Sequence, residues 1–312
     1  MKKIFLAVGI AIAISSFTSC SNEETLSTET ENKTELTQSD ATEIARLQSQ
    51  IADYNKAHFG EQPQTRGLFK WLFKGLCTAF ADAVGGAFGG IATGTVTSGI
   101  VGLYLFSDKE SNVEITWGGF KAPVRDPHTA FSNLVVNKDS VNNYIAVIRE
   151  DSIGYYHNAV LYDIFNDSTK MAEACQMTSY EFGSYILDRV GNFYTIEKEK
   201  AIANGCINDA VTIANIMRDS FNNSDSREDI VKKLRSKLPL SKEVIELLMT
   251  YIEGAVQSAE EHDNDYYLQD MLKIINSSNL TPEVKNSVIN GFVIGNASSR
   301  MWSMEDSTEV AL

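Results

Sequence analysis

Histidine is nearly absent from this sequence: His58, His128, His157 and His262 are the only four in 312 residues. None has a second ligand at metal-binding spacing, and no His-Glu-x-x-His run occurs, so a zinc site of that kind is excluded. Cysteine is equally sparse. Beyond Cys20 there are only Cys77, Cys175 and Cys206, an odd number that implies no disulfide framework. A Cys175–Cys206 bridge and three buried free thiols are the arrangements left open. Positive charge is also short, with 27 Lys and Arg against 41 Asp and Glu and a net charge of −14. That balance, with no basic stripe past residue 80, argues against a nucleic-acid partner. "GGAFGG" and "GIATGTVTSG" follow neither dinucleotide-binding nor P-loop spacing, since no Lys-Ser/Thr follows the last glycine. "EEHDNDYYLQD" (260–270) fails as a calcium loop, lacking Gly at the sixth and Glu at the twelfth position, and reads as a solvated acidic helix end. No nucleophile has a base at a recognisable spacing. The expectation is a non-enzymatic protein without cofactor or metal.

What is present begins with an address. Met1-Lys2-Lys3, the apolar run 4–14 and the small residues 15–19 form a secretion signal too short to span a membrane. Phe17-Thr18-Ser19-Cys20 resembles a bacterial lipobox, with Phe17 where Leu is commonest. The resemblance implies cleavage before Cys20 and a diacylglycerol on its thiol, an anchor worth about 0.8 kcal/mol per buried CH₂. Ser21-Asn22-Glu23-Glu24 resembles the acidic surface-export signal of Bacteroidetes lipoproteins. The resemblance implies an outer-membrane lipoprotein displayed at the cell surface, and Thr65-Arg66 resembles a site at which some such proteins are trimmed.

At 43% hydrophobic, the chain can bury one large core or two small ones. It divides into a signal peptide (1–19), a disordered tether (20–41), amphipathic and Gly-zipper helices (42–106), a loop region (107–130), an all-α domain (131–304) and a tail (305–312). No repeat of 20–50 residues is present. Ile44, Leu47 and Ile51 predict an amphipathic helix near 42–58. "VEITW" (113–117) predicts one short strand. Helical periodicity recurs at 151–165, 177–190, 206–221, 241–256 and 280–302, the last opening on Thr281 and Pro282 as cap and first residue. The fold class is all-α, a multi-helix bundle with a Gly-rich helical hairpin and six to eight helices in 131–304.

The most distinctive stretch lies between Ala83 and Phe106: 24 uncharged residues, of which 13 are apolar, seven Gly and four Ser or Thr. As one helix it would measure about 36 Å, long enough for a bilayer. Gly86, Gly90, Gly94, Ser98 and Gly102 recur every fourth residue and wind a groove of the kind that lets helix backbones approach. Such a helix needs lipid or tight packing, because each glycine costs about 0.8–1.0 kcal/mol of helix propensity in water. Upstream, Arg66, Lys70 and Lys74 share a stripe with Trp71 among the flanking aromatics, the pattern of a helix lying in a membrane interface. The basic helix followed by the glycine groove resembles unmodified bacteriocins and other pore-forming peptides. Three roles stay open: contact with a membrane, contact with a partner helix, and the buried heart of a soluble module, with Asp82 capping or pairing.

"GYYHNAVL" (154–161) and Ser298-Ser299-Arg300-Met301-Trp302 together resemble an uncharacterised family of Bacteroidetes lipoproteins with a Gly-x-x-His-Asn-x-x-Leu motif, over roughly 150–303. The resemblance implies no known activity. His157 falls on the apolar stripe of its helix, which points to a buried, hydrogen-bonded imidazole with Asn158 bridging a neighbouring helix. A ligand contact or a general base is the functional alternative.

Overall fold

A computed structural model describes residues 36–60, 69–106, 153–165, 167–193, 196, 201–202, 205–260 and 264–302. Among the described residues there are 10 helices and no strand, the all-α class that the periodicity predicts. The signal peptide, Cys20, Arg66, the loop region, the strand expected at 113–117 and the tail lie outside the described residues.

Helix α1 (Gln38–Phe59) buries Ile44, Leu47 and Ile51 completely, the three apolar residues spaced by three and four. They rest on α8 (Lys242–Glu260), whose apolar stripe includes Ile245, Leu248 and Ile252. The start of α1 is fixed by Asp40. Its carboxylate accepts from the Thr281 amide at 2.8 Å, the Thr281 hydroxyl at 3.2 Å and the Thr37 hydroxyl at 2.8 Å. Thr281 precedes α10 (Pro282–Met301) as its N-cap residue, yet its side chain makes no capping bond. The cap predicted from sequence is thus a clasp between α10 and α1. Glu43 adds to it by accepting from the Asn279 amide at 3.0 Å.

The long apolar segment is α2 (Phe69–Phe106), and it is a hairpin. Gly89 and Gly90 leave helical geometry at φ −133°, ψ 19° and φ 64°, ψ −154°. The second pair of angles lies in a region essentially confined to glycine. The chain therefore folds back, and Ser98 on the second arm reaches Asp82 on the first at 2.6 Å. In one straight helix those residues would be about 24 Å apart. The arm 91–106 is likewise about 24 Å long, short of a bilayer's hydrocarbon core of about 30 Å.

Around the hairpin pack α3 (Ile153–Phe165), α5 (Ser179–Phe193), α6 (Cys206–Asn223), α8 and α10. The shorter α4 (Ser168–Ala174) follows α3, while α7 (Arg227–Lys237) and α9 (Asn264–Asn276) complete the outside. Eight described helices therefore fall within 153–302. Helix α7 begins with a capping box between Ser226 and Asp229, which satisfies amides that its first turn leaves free.

Helix α10 is as central as the hairpin, for every residue from Gly291 to Trp302 is buried. A helix apolar or small on all sides has to be enclosed. Gly291 and Gly295 face Ala83, with Ala87 beside the first and Ala79 beside the second. A Cβ at Gly291 would stand 2.8 Å from the Ala83 carbonyl oxygen. Small residues every fourth position on both helices thus bring two backbones together.

Candidate functional site

Asp82 sits at the centre of this packing, fully buried. Its Oδ2 accepts hydrogen bonds from Ser98 of the second arm and from Ser298 of α10. The Trp302 indole N–H donates to Ser98 at 3.3 Å, extending the cluster to the end of α10. From α3, His157 points its Nε2 at Asp82 Oδ2 across 3.7 Å and is itself fully buried. Neither Asp82 Oδ1 nor His157 Nε2 has a hydrogen-bond partner.

The remaining contacts assign the protons. Asn158 donates through Nδ2 to the Ala297 carbonyl at 2.9 Å, so its Oδ1 is an acceptor. His157 Nδ1, 2.8 Å from that oxygen, therefore carries a hydrogen. In the neutral imidazole Nε2 is then the acceptor, turned toward Asp82. Burial drives Asp82 well above the ordinary carboxyl range, with the two serines pulling the other way. Burial also pushes His157 down to about 4, against the hydrogen bond to Asn158. Burial thus favours the neutral form of both groups, the cheaper way to bury an acid and a base that no other charge compensates.

This arrangement fits the structural alternative for His157 and Asn158: a buried imidazole, and an amide bridging α3 to α10. It holds no exposed nucleophile, and Asp82, Ser98, Ser298 and His157 are all sealed from solvent. Asparagine in place of Asp82 keeps an acceptor for Ser98 and Ser298 and has no proton to lose. A raised folded pKa means that Asp82 favours the fold below about 3.8 and disfavours it increasingly as pH rises. Asp82→Asn is therefore expected to raise the melting temperature by several degrees at pH 8 and by much less at pH 4. Thermal melts at the two pH values check this; an equal or opposite change would refute the neutral pair.

The other candidate residues have equally specific places. Ile294 of α10 fills the hollow left by Gly86 and Gly94, and the Trp302 ring fills that of Gly102. Gly90 does not belong to the groove, because it forms the turn. Lys70, Trp71 and Lys74 fall in the first turns of α2. Cys77, Cys175 and Cys206 form no disulfide, so the Cys175–Cys206 bridge is not made, and Cys175 is only half-buried. Burial pushes the Cys77 thiol up to about 12 and so leaves it unreactive.

One feature escaped sequence reasoning. A cleft of about 420 Å³ opens between α1, α7 and α8, lined among others by Gln48, Asn55, Lys56, Arg227, Glu253 and Gln257. Arg227 donates to both Glu253 oxygens at 2.9 and 3.1 Å and to Thr250 at 2.7 Å. Its residues come from α1 on one side and from the consecutive α7 and α8 on the other, about two hundred positions later, so no local spacing marks it. Among the described residues no group of three His, Cys, Asp or Glu could hold a metal ion. No protein-family model, curated protein or solved structure matches the chain.

Proposed function

We propose that the chain is a lipid-anchored, non-catalytic protein of the outer membrane and cell surface. In this reading it is a helical ligand- or protein-binding module on a tether from Cys20, with the Gly-rich hairpin as its core. One observation carries the reading: the apolar surface of the hairpin is taken up by the chain's own helices, with Ile294 and Trp302 seated in its glycine hollows. The polar cleft beside Arg227 is the open concave surface that such a module offers to a ligand.

The test is co-sedimentation of the unlipidated mature chain, residues 21–312, with anionic vesicles at pH 7.4. A folded protein that stays in the supernatant is expected. Salt-sensitive pelleting would contradict the reading and return the membrane role to Lys70, Trp71 and Lys74. A second reading, in which the hairpin meets a membrane, is favoured by the segment Gly75–Leu105. Its mean hydropathy of 1.3 suits a lipid environment, although the turn at Gly89 and Gly90 divides its length between two arms and 72% of its most apolar window is buried.

A further inference from the structure

We propose that Asp82 and His157 form an acid-sensitive latch, and that its release lets the Gly-rich hairpin exchange the bundle for a lipid bilayer. The proposal rests on the packaged hairpin being the resting state. The two arms of the hairpin hold each other as well as the bundle. Gly85 lies against Gly94 and Thr97 across the two arms. Asp82 keeps Ser98 as a partner within the hairpin, whereas Ser298 and His157 belong to helices that would stay behind. Asp82 is the single Asp, Glu, Lys or Arg between Gly75 and Phe106. The tip at Phe88, Gly89 and Gly90 is the part of the turn that reaches the surface.

The latch is local. His157 on α3 is the titratable side chain that faces Asp82, and Asp82 is the one that faces His157. Cys77 on the first arm and Arg300 on α10 are the other buried ionisable groups of these elements, and neither shifts the pair. The unpartnered Nε2 and Oδ1 leave room for a change of protonation.

Proton counting sets the conditions. The packaged state holds one proton on the pair, at Asp82. If the hairpin opened into water between pH 4 and 6.5, Asp82 would lose its proton and His157 would gain one, so acid would bring no net drive. In hydrocarbon the carboxyl keeps its proton, while His157 on the emptied bundle becomes free to charge. That state holds two protons, and acid favours it. With His157 moving between about 4 packaged and 6.5 released, the release constant rises roughly 25-fold from pH 7.4 to pH 5.

The experiment is co-sedimentation of the unlipidated mature chain with phosphatidylcholine vesicles at pH 7.4 and 5.0. Uncharged vesicles remove the electrostatic attraction that acid would otherwise add. The expected result is a roughly 25-fold gain in vesicle partitioning for the wild type and almost none for His157→Gln. Asp82→Asn, which retains His157, should keep the acid step. It supplies the test if His157→Gln proves unfolded by circular dichroism, and loss of the step in Asp82→Asn would then overturn the latch. A wild type that stays unbound at pH 5 overturns release into lipid. Equal acid gains in the wild type and His157→Gln overturn the role of the pair. Full pelleting of the wild type at pH 7.4 overturns the packaged core itself, an outcome distinct from the others.

Discussion

Gly291→Val is expected to lower the stability of the whole bundle by about 3 kcal/mol or more, a fall in melting temperature of about 6–12 °C. The first atom of the new side chain would lie 2.8 Å from the Ala83 carbonyl oxygen and 3.1 Å from the Ala87 Cβ. Neither can step aside, because one is backbone and the other is held directly by it. Only Leu248 Cδ2, at 2.7 Å, is a flexible end. The helices must therefore separate, and with them go the contacts that Gly295 makes one turn later. Gly191 on α5 supplies the comparison. Nothing lies within 4 Å of its Cβ position, so Gly191→Ala should stabilise by about 0.5–1 kcal/mol. Calorimetry of the two variants beside the wild type checks both signs. A Gly291→Val protein of unchanged stability would mean that α10 does not lie against the first arm.

Trp302→Ala is expected to be as damaging, at about 3–5 kcal/mol. Trp302 is the largest fully buried side chain, it packs edge-on against Phe165 at 5.5 Å, and its ring occupies the hollow at Gly102. Ser98 would also lose its indole donor. Trp302→Phe keeps a ring in the hollow and loses only the N–H to Ser98, so it should fall between alanine and wild type. Urea or thermal unfolding of the three proteins gives the order. A phenylalanine variant as unstable as the alanine one would move the weight of this site from packing to the hydrogen bond.

The helices were legible because burial leaves a period. Ile44, Leu47 and Ile51 mark α1, His157, Val160, Leu161 and Ile164 mark α3, and Pro282 marks the start of α10; each of those side chains from α1 and α3 is fully buried. The hairpin was legible as a kind of element, though not where it turns. Gly85, Gly86, Gly89, Gly90 and Gly94 all permit a reversal, and nothing local singles out the pair at 89 and 90. The glycine period leaves its occupant open between lipid, a partner helix and the chain's own core; in the structure Gly86, Gly94 and Gly102 are hollows for Ile294 and Trp302 at the C-terminal end of this chain's own bundle. The helix that does approach closely is α10, through Gly291 and Gly295 against Ala79, Ala83 and Ala87, residues about two hundred positions away. Asp82 and His157 meet for the same reason: separation in sequence hides any pair that only tertiary packing assembles. His157 could be read as buried from its stripe, but its partner could not.

The central claim is that the hairpin is the innermost element of a folded bundle. Peptide-resolved hydrogen–deuterium exchange at pH 7.4 on the unlipidated mature chain tests it most directly. The account predicts that amides of 75–87 and 95–105, on either side of the turn, exchange only on global unfolding, together with those of 291–302 and more slowly than those of α1 and α7. Exchange in the hairpin faster than in α1, with the outer helices still protected, would contradict it.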